Sequence, residues 1–427
     1  MHQLIVCNPG HFHAALTLRQ SHPSLSDEVH VYSLPGPDLE RFQAIVKSYN
    51  ERAENPTRWS LHVVTAADYL DRLIKERPGD LCVVAGRTDL KAAQLPRLHE
   101  AGFALLADKP WLLTAADLPK IRQVTAGGAP AIDIMTNRHE VLFRLLRALA
   151  ADDELFGGFF QTGPEDPALS IRSAHHLYKI VAGKPLRRPA WFFDTKAQGK
   201  GIVDISTHLI DLCMFILSGP EQPARAFTFG KDAGFIAAKR TATPLSREMF
   251  GRITGLDDFP EAIRASVQGD TLAYDCNGEI MFRLGGQTCR TVETWEVQDP
   301  PGKDWHQATA FGNKCIIEIK QGPETDYRDE LFVYPKGAAA ALRPALEAAL
   351  ARLQPDFPGI SAGAGAGNVW KIDVPGALRI PHEAQYALVR DGFIGALGGK
   401  DFSKSESANL LAKYSIIAEA ERRSVAG

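Results

Sequence analysis

The sequence predicts an α/β protein: a doubly wound parallel sheet at the N-terminus, then an α+β domain with a large, mainly antiparallel sheet. Three observations predict it. Up to about Ile134, short apolar runs alternate with stretches whose apolar residues recur near every 3.6 positions, the pattern of repeated βαβ units. From about Asn137 that rhythm gives way to extended runs separated by turns. The 427 residues, 45% of them hydrophobic, also exceed what one ordinary core holds and fit two domains, 1–136 and 137–427.

In the first domain LIVC from Leu4, VHVY from Val29, LHVV from Leu61, DLCVVAG from Asp80, FALLA from Phe103 and PAIDIM from Pro130 read as strands. Between them HAALTLRQ, AADYLDRLIKE, LKAAQLPRLHEAG and TAADLPKIRQV read as amphipathic crossover helices. Pro35 to Arg58 is long and polar and reads as an elaborated connection after the second strand. In the second domain a helix, HEVLFRLLRALAA, leads to a strand, FGGFFQ, a basic stretch and a helix beginning near Gly201. TLAYDCNG, EIMFRLGG, CRTVETWEV, KCIIEIKQ and ELFVYP read as antiparallel strands. A helix (AAAALRPALEAALARL), a glycine-rich loop (SAGAGAGN) and a C-terminal helix (ESANLLAKYSIIAEAERR) complete the chain. The loop lacks the Lys-Ser/Thr pair of a phosphate-cradling P-loop.

Composition narrows the function. Forty-eight basic against 51 acidic residues give a net charge of -3, so no basic field exists to hold a nucleic acid. No apolar run reaches the roughly 18 residues of a membrane span, and no signal peptide is read at the start. The six cysteines form no CxxC pair, which disfavours a zinc site or disulfide framework and fits the cytoplasm.

Chemistry is expected at strand ends. Asn8-Pro9-Gly10-His11-Phe12-His13 follows the first strand, where a dinucleotide fold places a glycine-rich turn whose backbone approaches the pyrophosphate. Only Gly10 of that pattern is present. His11 and His13 invite a metal reading, but no carboxylate or cysteine lies nearby in sequence, and no metal is assigned. The second strand ends without an acidic residue. Ser33 there suits either a 2'-hydroxyl or a 2'-phosphate, and Asp38, several residues on, reads as a loop residue, which leaves the choice of cofactor open; NAD is taken as the expectation and NADP is not excluded. Ala85, Gly86 and Arg87 end the fourth strand. After the fifth come Asp108-Lys109-Pro110, placing a lysine where open α/β sheets bind ligands and where an ammonium can stabilise an alkoxide. Farther on, Asp204 and His208 are i,i+4 on a predicted helix and Asp211 is i+3 from His208, a set suited to general-base chemistry.

In order and spacing these pieces resemble the glucose-fructose oxidoreductase, inositol dehydrogenase and rhizopine-catabolism (Gfo/Idh/MocA) family. DLCVVAGRTDLKAAQLPRLHEAGFALLADKP is similar to its fourth-strand to Glu-Lys-Pro segment, MTNRHEVLFRLLRAL to the opening of its second domain, and PAWFFDTKAQGKGIVDISTHLIDL to its Asp-x-x-x-His helix. The resemblance covers residues 1 to about 220, and the C-terminal part looks like a branch with its own domain. It implies a Rossmann-type first domain that binds nicotinamide dinucleotide through Asn8, Gly10, His11, Phe12, Ser33, Ala85, Gly86, Arg87, Asp108 and Lys109. The implied catalytic set is Lys109, Asp204 and His208. Asp108 stands for the usual glutamate, Lys91 for a frequent histidine, and Lys200 interrupts a glycine triplet where it offers charge to an anionic substrate.

Arg138, His175, His176, Lys179, Arg188 and Trp191 are the expected substrate contacts, and so many cations favour an acidic or modified sugar. The expected activity is oxidation or reduction of a hydroxyl or carbonyl of a sugar, sugar acid or polyol. The alternatives are a glycoside hydrolase using transient oxidation and elimination, and a non-catalytic nucleotide-binding sensor. Pairing through the free face of the second sheet gives an expected homodimer or homotetramer.

Overall fold

The computed structural model describes the chain except positions 162, 164–165, 182–183, 221–224, 301, 365–367, 398–399 and 427. It divides into two compact units: 1–139 with 380–415, and 140–379 with 416–427.

The first unit holds a six-stranded parallel sheet, β1 (His2–Cys7), β2 (Leu25–Ser33), β3 (Ser60–Thr65), β4 (Leu81–Val84), β5 (Ala104–Ala107) and β6 (Ala131–Asp133), in the order β3-β2-β1-β4-β5-β6. This is the doubly wound order, with the switch point beside β1. The central strands β1, β4 and β5 are almost fully buried apolar runs, as expected where a sheet is covered on both faces, whereas the edge strand β3 has no fully buried residue. The crossover helices are α1 (His13–Leu16), α2 (Pro37–Glu51), α3 (Tyr69–Glu76), α4 (Thr88–Glu100) and α5 (Leu118–Thr125).

Two helices depart from expectation. HAALTLRQ gives only the four-residue α1. Pro35 to Arg58 is not a polar connection, because α2 occupies most of it. Pro37 opens that helix, and Leu39, Phe42, Val46 and Tyr49, spaced three, four and three apart, bury one face.

The sequence placed everything after 136 in one second domain, whereas 380–415 packs within the first unit. α10 (His382–Ala396) inserts Tyr386, Val389, Phe393 and Ile394 into the core that holds β1, β2 and β4. Arg390, fully buried, donates to the carbonyls of Thr17 and Gln20 at 2.6 and 2.7 Å, closing the end of the short α1. α11 (Lys400–Arg423) adds Lys413 and Tyr414, both bonded to the Asp133 carboxylate of β6.

The second unit begins with α6 (Val141–Ala150), capped by Glu140, whose Oε2 accepts from the N–H groups of Leu142 and Phe143. Its elements continue with β7 (Leu169–His176), the ribbon β8 (Ile180–Val181) and β9 (Lys184–Pro185), α7 (Ser206–Leu217), β10 (Ala233–Ser246) and α8 (Arg247–Thr254). Then come β11 (Val267–Gln268), β12 (Thr271–Leu284), β13 (Gln287–Glu296), β14 (Trp305–Phe311), β15 (Cys315–Gln321), β16 (Glu330–Pro335), α9 (Ala339–Leu353), β17 (Ser361–Ala364), β18 (Trp370–Asp373) and β19 (Val425–Ala426).

Most of these strands form one eleven-stranded sheet, β17-β18-β16-β15-β14-β7-β13-β12-β10-β19 with β11 on β12. It is antiparallel except where β13 meets β7 and β10 meets β19. TLAYDCNG and EIMFRLGG, expected as two strands, are the single β12. FGGFFQ forms only an isolated bridge, Phe159 to Gly312. SAGAGAGN starts as β17, and its positions 365–367 lie outside the described residues.

Candidate functional site

In the first unit the ends of β1, β2 and β4 make a cradle. Asn8 stands in the left-handed region, φ 47°, which Asn tolerates better than most residues. Its Oδ1 accepts from the Ser33 hydroxyl at 3.2 Å and the Leu34 N–H at 3.3 Å, tying the turn after β1 to the end of β2. Gly10 and His11 both donate their N–H to the Ala85 carbonyl, at 3.1 and 3.0 Å. Those two amides therefore face β4 and not a ligand, unlike the expectation that the turn's backbone cradles a pyrophosphate.

The second glycine is Gly86. A Cβ there would sit 2.6 Å from the Asn8 carbonyl oxygen, and one on Gly10 would sit 3.2 Å from the Gly86 Cα. A cleft of about 180 Å³ opens beside this contact, lined by Asn8, Gly10, Ser33, Asp38 and Arg87 among others. Asp38, left as a loop residue by the sequence, lies in the first turn of α2 and faces the same cleft. The Arg87 guanidinium is held by Asp89 at 2.6 and 3.2 Å, and Phe12 is exposed. Glycine contact, strand ends and an acidic group near the second strand suit a dinucleotide's adenosine half.

At the end of β5 Asp108 is buried and Lys109 half-buried. The Asp108 Oδ2 meets His13 Nδ1 at 2.9 Å and His11 Nδ1 at 3.6 Å. The carboxylate missing near the two histidines in sequence is thus supplied from 95 residues away. Burial pushes the Asp108 carboxyl up, but the charge and hydrogen bond of His13, then Lys91 and His11, hold it well below the usual carboxylate range. Burial takes His11 well below its ordinary value, helped by His13. Lys91, itself buried, donates to the Lys109 carbonyl at 3.0 Å and fixes the backbone that presents the Lys109 side chain.

In the second unit the expected helix at Gly201 begins late. Gly201–Val203 is a 3-10 turn jammed on β12: a Cβ on Gly201 would lie 1.9 Å from the Cys276 carbonyl oxygen. Asp204 therefore precedes α7 and does not ride on it, so the i,i+4 reading of Asp204 with His208 gives way to one residue before the helix and one in its first turn. Asp204 is buried and accepts from Gln198 Nε2 at 3.1 Å, Asp211 is buried, and His208 is half-buried. The helix start is pinned by Glu293 of β13, fully buried, which accepts from the Ser206 N–H at 2.9 Å, the Ser206 hydroxyl and the Trp295 indole.

The predicted substrate residues divide. His175, His176 and Lys179 gather on Asp304, at 3.4 Å from the His175 ring, 2.9 Å from the His176 N–H and 2.7 Å from the Lys179 ammonium. Burial pushes the Asp304 carboxyl up, but His175 and Lys179 hold it well below its usual range. Arg188 donates to the carbonyls of Leu177 and His176 and stacks on Phe192 and Trp295. Trp191 is half-buried on the turn Ala190–Phe193.

Arg138 belongs instead to the first unit, where it pairs with Glu406 at 3.0 Å, and Lys200 pairs with Glu421 at 2.8 Å. With Asp304, Glu406 and Glu421 matching these cations, their number no longer argues for an acidic sugar. Sequence reasoning missed Asp304, Glu293 and Tyr386, because each acts through a partner far away in the chain.

Comparison with known proteins adds three findings. Residues 145–425 match a family model described as "Putative oxidoreductase C terminal domain". The crystal structure of an oxidoreductase, itself described as putative, from Parabacteroides merdae is 34% identical, covers 98% of this chain and 96% of its own, and superposes with a TM-score of 0.91. A 3-ketoreductase from Actinomadura kijaniata, solved with NADP and TDP-benzene, is 13% identical over 100% of this chain and 98% of its own, at a TM-score of 0.57. A gentamicin A biosynthesis protein solved with NAD is 13% identical over 99% and 95%, at 0.54. At that identity the last two speak to the fold alone. No curated protein matches the chain.

Proposed function

Because the chain belongs to the Gfo/Idh/MocA-type oxidoreductases, we propose that it binds a nicotinamide dinucleotide and oxidises or reduces a hydroxyl or carbonyl of a sugar, sugar acid or polyol. The observation that carries this reading is the cradle of the first unit. Gly10 packs on Gly86, the cleft is lined by Asn8, Ser33 and Asp38, and Lys109 stands two strands away at the end of β5. Arg87 also lines the cleft, and Ala85, His11, Phe12 and Asp108 complete the nucleotide-binding set proposed. Two distant neighbours of the same fold were solved with a nicotinamide cofactor, NADP in the 3-ketoreductase and NAD in the gentamicin A biosynthesis protein, which is in keeping with the cofactor proposed.

When bound, the nicotinamide supplies the hydride acceptor or donor. The chain handles the proton. The roles proposed are His208 of the second unit as the base that takes the proton from the substrate hydroxyl, the Lys109 ammonium of the first unit as the group that stabilises the alkoxide, and Asp204, held by Gln198, as the carboxylate that completes the catalytic set. Trp191 and Arg188 offer a ring edge and a cation for the sugar, with His175, His176 and Lys179 set by Asp304, while Arg138 is braced by Glu406.

The test is a pair of variants, Lys109→Ala and His208→Ala, screened with sugars and sugar acids at the nicotinamide absorbance band. Each is expected to retain NADH binding, somewhat weakened in Lys109→Ala, and to lose about a hundred- to ten-thousand-fold in turnover. Unchanged turnover in either removes its role.

A further inference from the structure

We infer that His11, His13 and Asp108 form a binding site for a divalent transition-metal ion of the Zn²⁺ and Co²⁺ class, clamping the turn after β1 to the end of β5. One nitrogen from each imidazole and one carboxylate oxygen lie within 4.8 Å of one another. Both Nδ1 atoms converge on the same Oδ2, at 2.9 and 3.6 Å. Ligands around an ion with bonds of about 2.0–2.1 Å stand about 3 Å apart, so a small adjustment closes the set.

The backbone that carries the ligands is held in place: His11 is tied through its N–H to Ala85 and Asp108 through its N–H to Val84, and the His13 ring packs 4.6 Å from that of Tyr386 on α10. The Asp108 side chain is 6% exposed, while that of His11 is 33% exposed. That difference gives an ion a way in and leaves a coordination position open toward solvent.

Charge selects the ion. Asp108 is the one carboxylate of the set, and Lys91 and Lys109 act on the same groups with the opposite sign. A hard, oxygen-seeking ion such as Mg²⁺ or Ca²⁺ gains little here, whereas an ion that bonds imidazole nitrogen does. The site shares His11 and Asp108 with the nucleotide-binding set proposed above, so it is tested without nucleotide.

The experiment is titration of untagged, EDTA-treated full-length protein with Co²⁺ at about neutral pH, without nucleotide. One Co²⁺ per chain is expected to give a saturable visible absorption band, displaced by Zn²⁺ and absent from His13→Ala and Asp108→Asn. A second measurement on the unaltered protein is independent of whether those variants fold: Zn²⁺ is expected to shield His11 and His13 from diethylpyrocarbonate, read by peptide mass mapping. No saturable band, a band that persists in folded His13→Ala, or modification unchanged by Zn²⁺ overturns the site. NADH titration in EDTA tests the cofactor reading separately, so either can fail without the other.

Discussion

At the scale of single residues, buried groups set the sharpest tests. Burial raises the Glu140 carboxyl to about 7, partly offset by the two N–H groups it caps. Its folded value thus lies above the unfolded one, so the native state holds the extra proton between about pH 4.5 and 7 and loses stability as pH rises through that window. Glu140→Gln keeps the capping oxygen and removes the titration. Thermal melts are expected to show the variant more stable than the parent at pH 8 and equal to it near pH 4, and a constant difference across that range would contradict the account. Gly86→Ala is a second test. Its Cβ must displace the Asn8 carbonyl oxygen 2.6 Å away, so a loss of about 1–3 kcal/mol in unfolding free energy is expected, together with weaker NADH binding. Full stability and affinity would show that the close approach is not needed.

At the scale of elements, α10 explains how a cradle survives on a four-residue α1. Arg390 holds the Thr17 and Gln20 carbonyls from a fully buried position with Asp391 beside it. Arg390→Ala leaves those carbonyls without their donor, and a loss on the order of 3 kcal/mol is expected in denaturant unfolding. A change within about 0.5 kcal/mol would mean that water replaces the guanidinium.

The parallel strands were legible as short apolar runs, most plainly in the central β1, β4 and β5, which are buried on both faces. α2 was not, since Pro37 and the charges of its outer face hid the buried stripe Leu39, Phe42, Val46 and Tyr49. β10 escaped because it is half-exposed along most of its length. Lys109 was legible as a candidate from its strand-end position, and His208 from its spacing to Asp204 and Asp211, of which the late start of α7 leaves only Asp211 on the helix. Asp108 as the partner of His13, and Asp304 as the partner of Lys179, could not, because only the fold joins them.

At the scale of the whole molecule, the chain interleaves its units. Residues 380–415 complete the first unit, so a chain ending at 379 lacks part of that unit's core. Such a truncation is expected to lose cooperative unfolding of the first unit and NADH binding together, and retention of either would show that α10 is dispensable. Among the described residues no helix is long and apolar enough to cross a membrane. The expected homodimer or homotetramer is a matter for light scattering, where a mass of one chain would dismiss it. The central claim, that the cradle between Asn8, Gly86 and Asp38 receives a nicotinamide dinucleotide, is tested most directly by fluorescence titration of the full-length protein with NADH and NADPH. Saturable binding of at least one nucleotide, weakened in Gly86→Ala, is the predicted result. No binding of either would contradict it and leave the fold without the redox chemistry proposed for it.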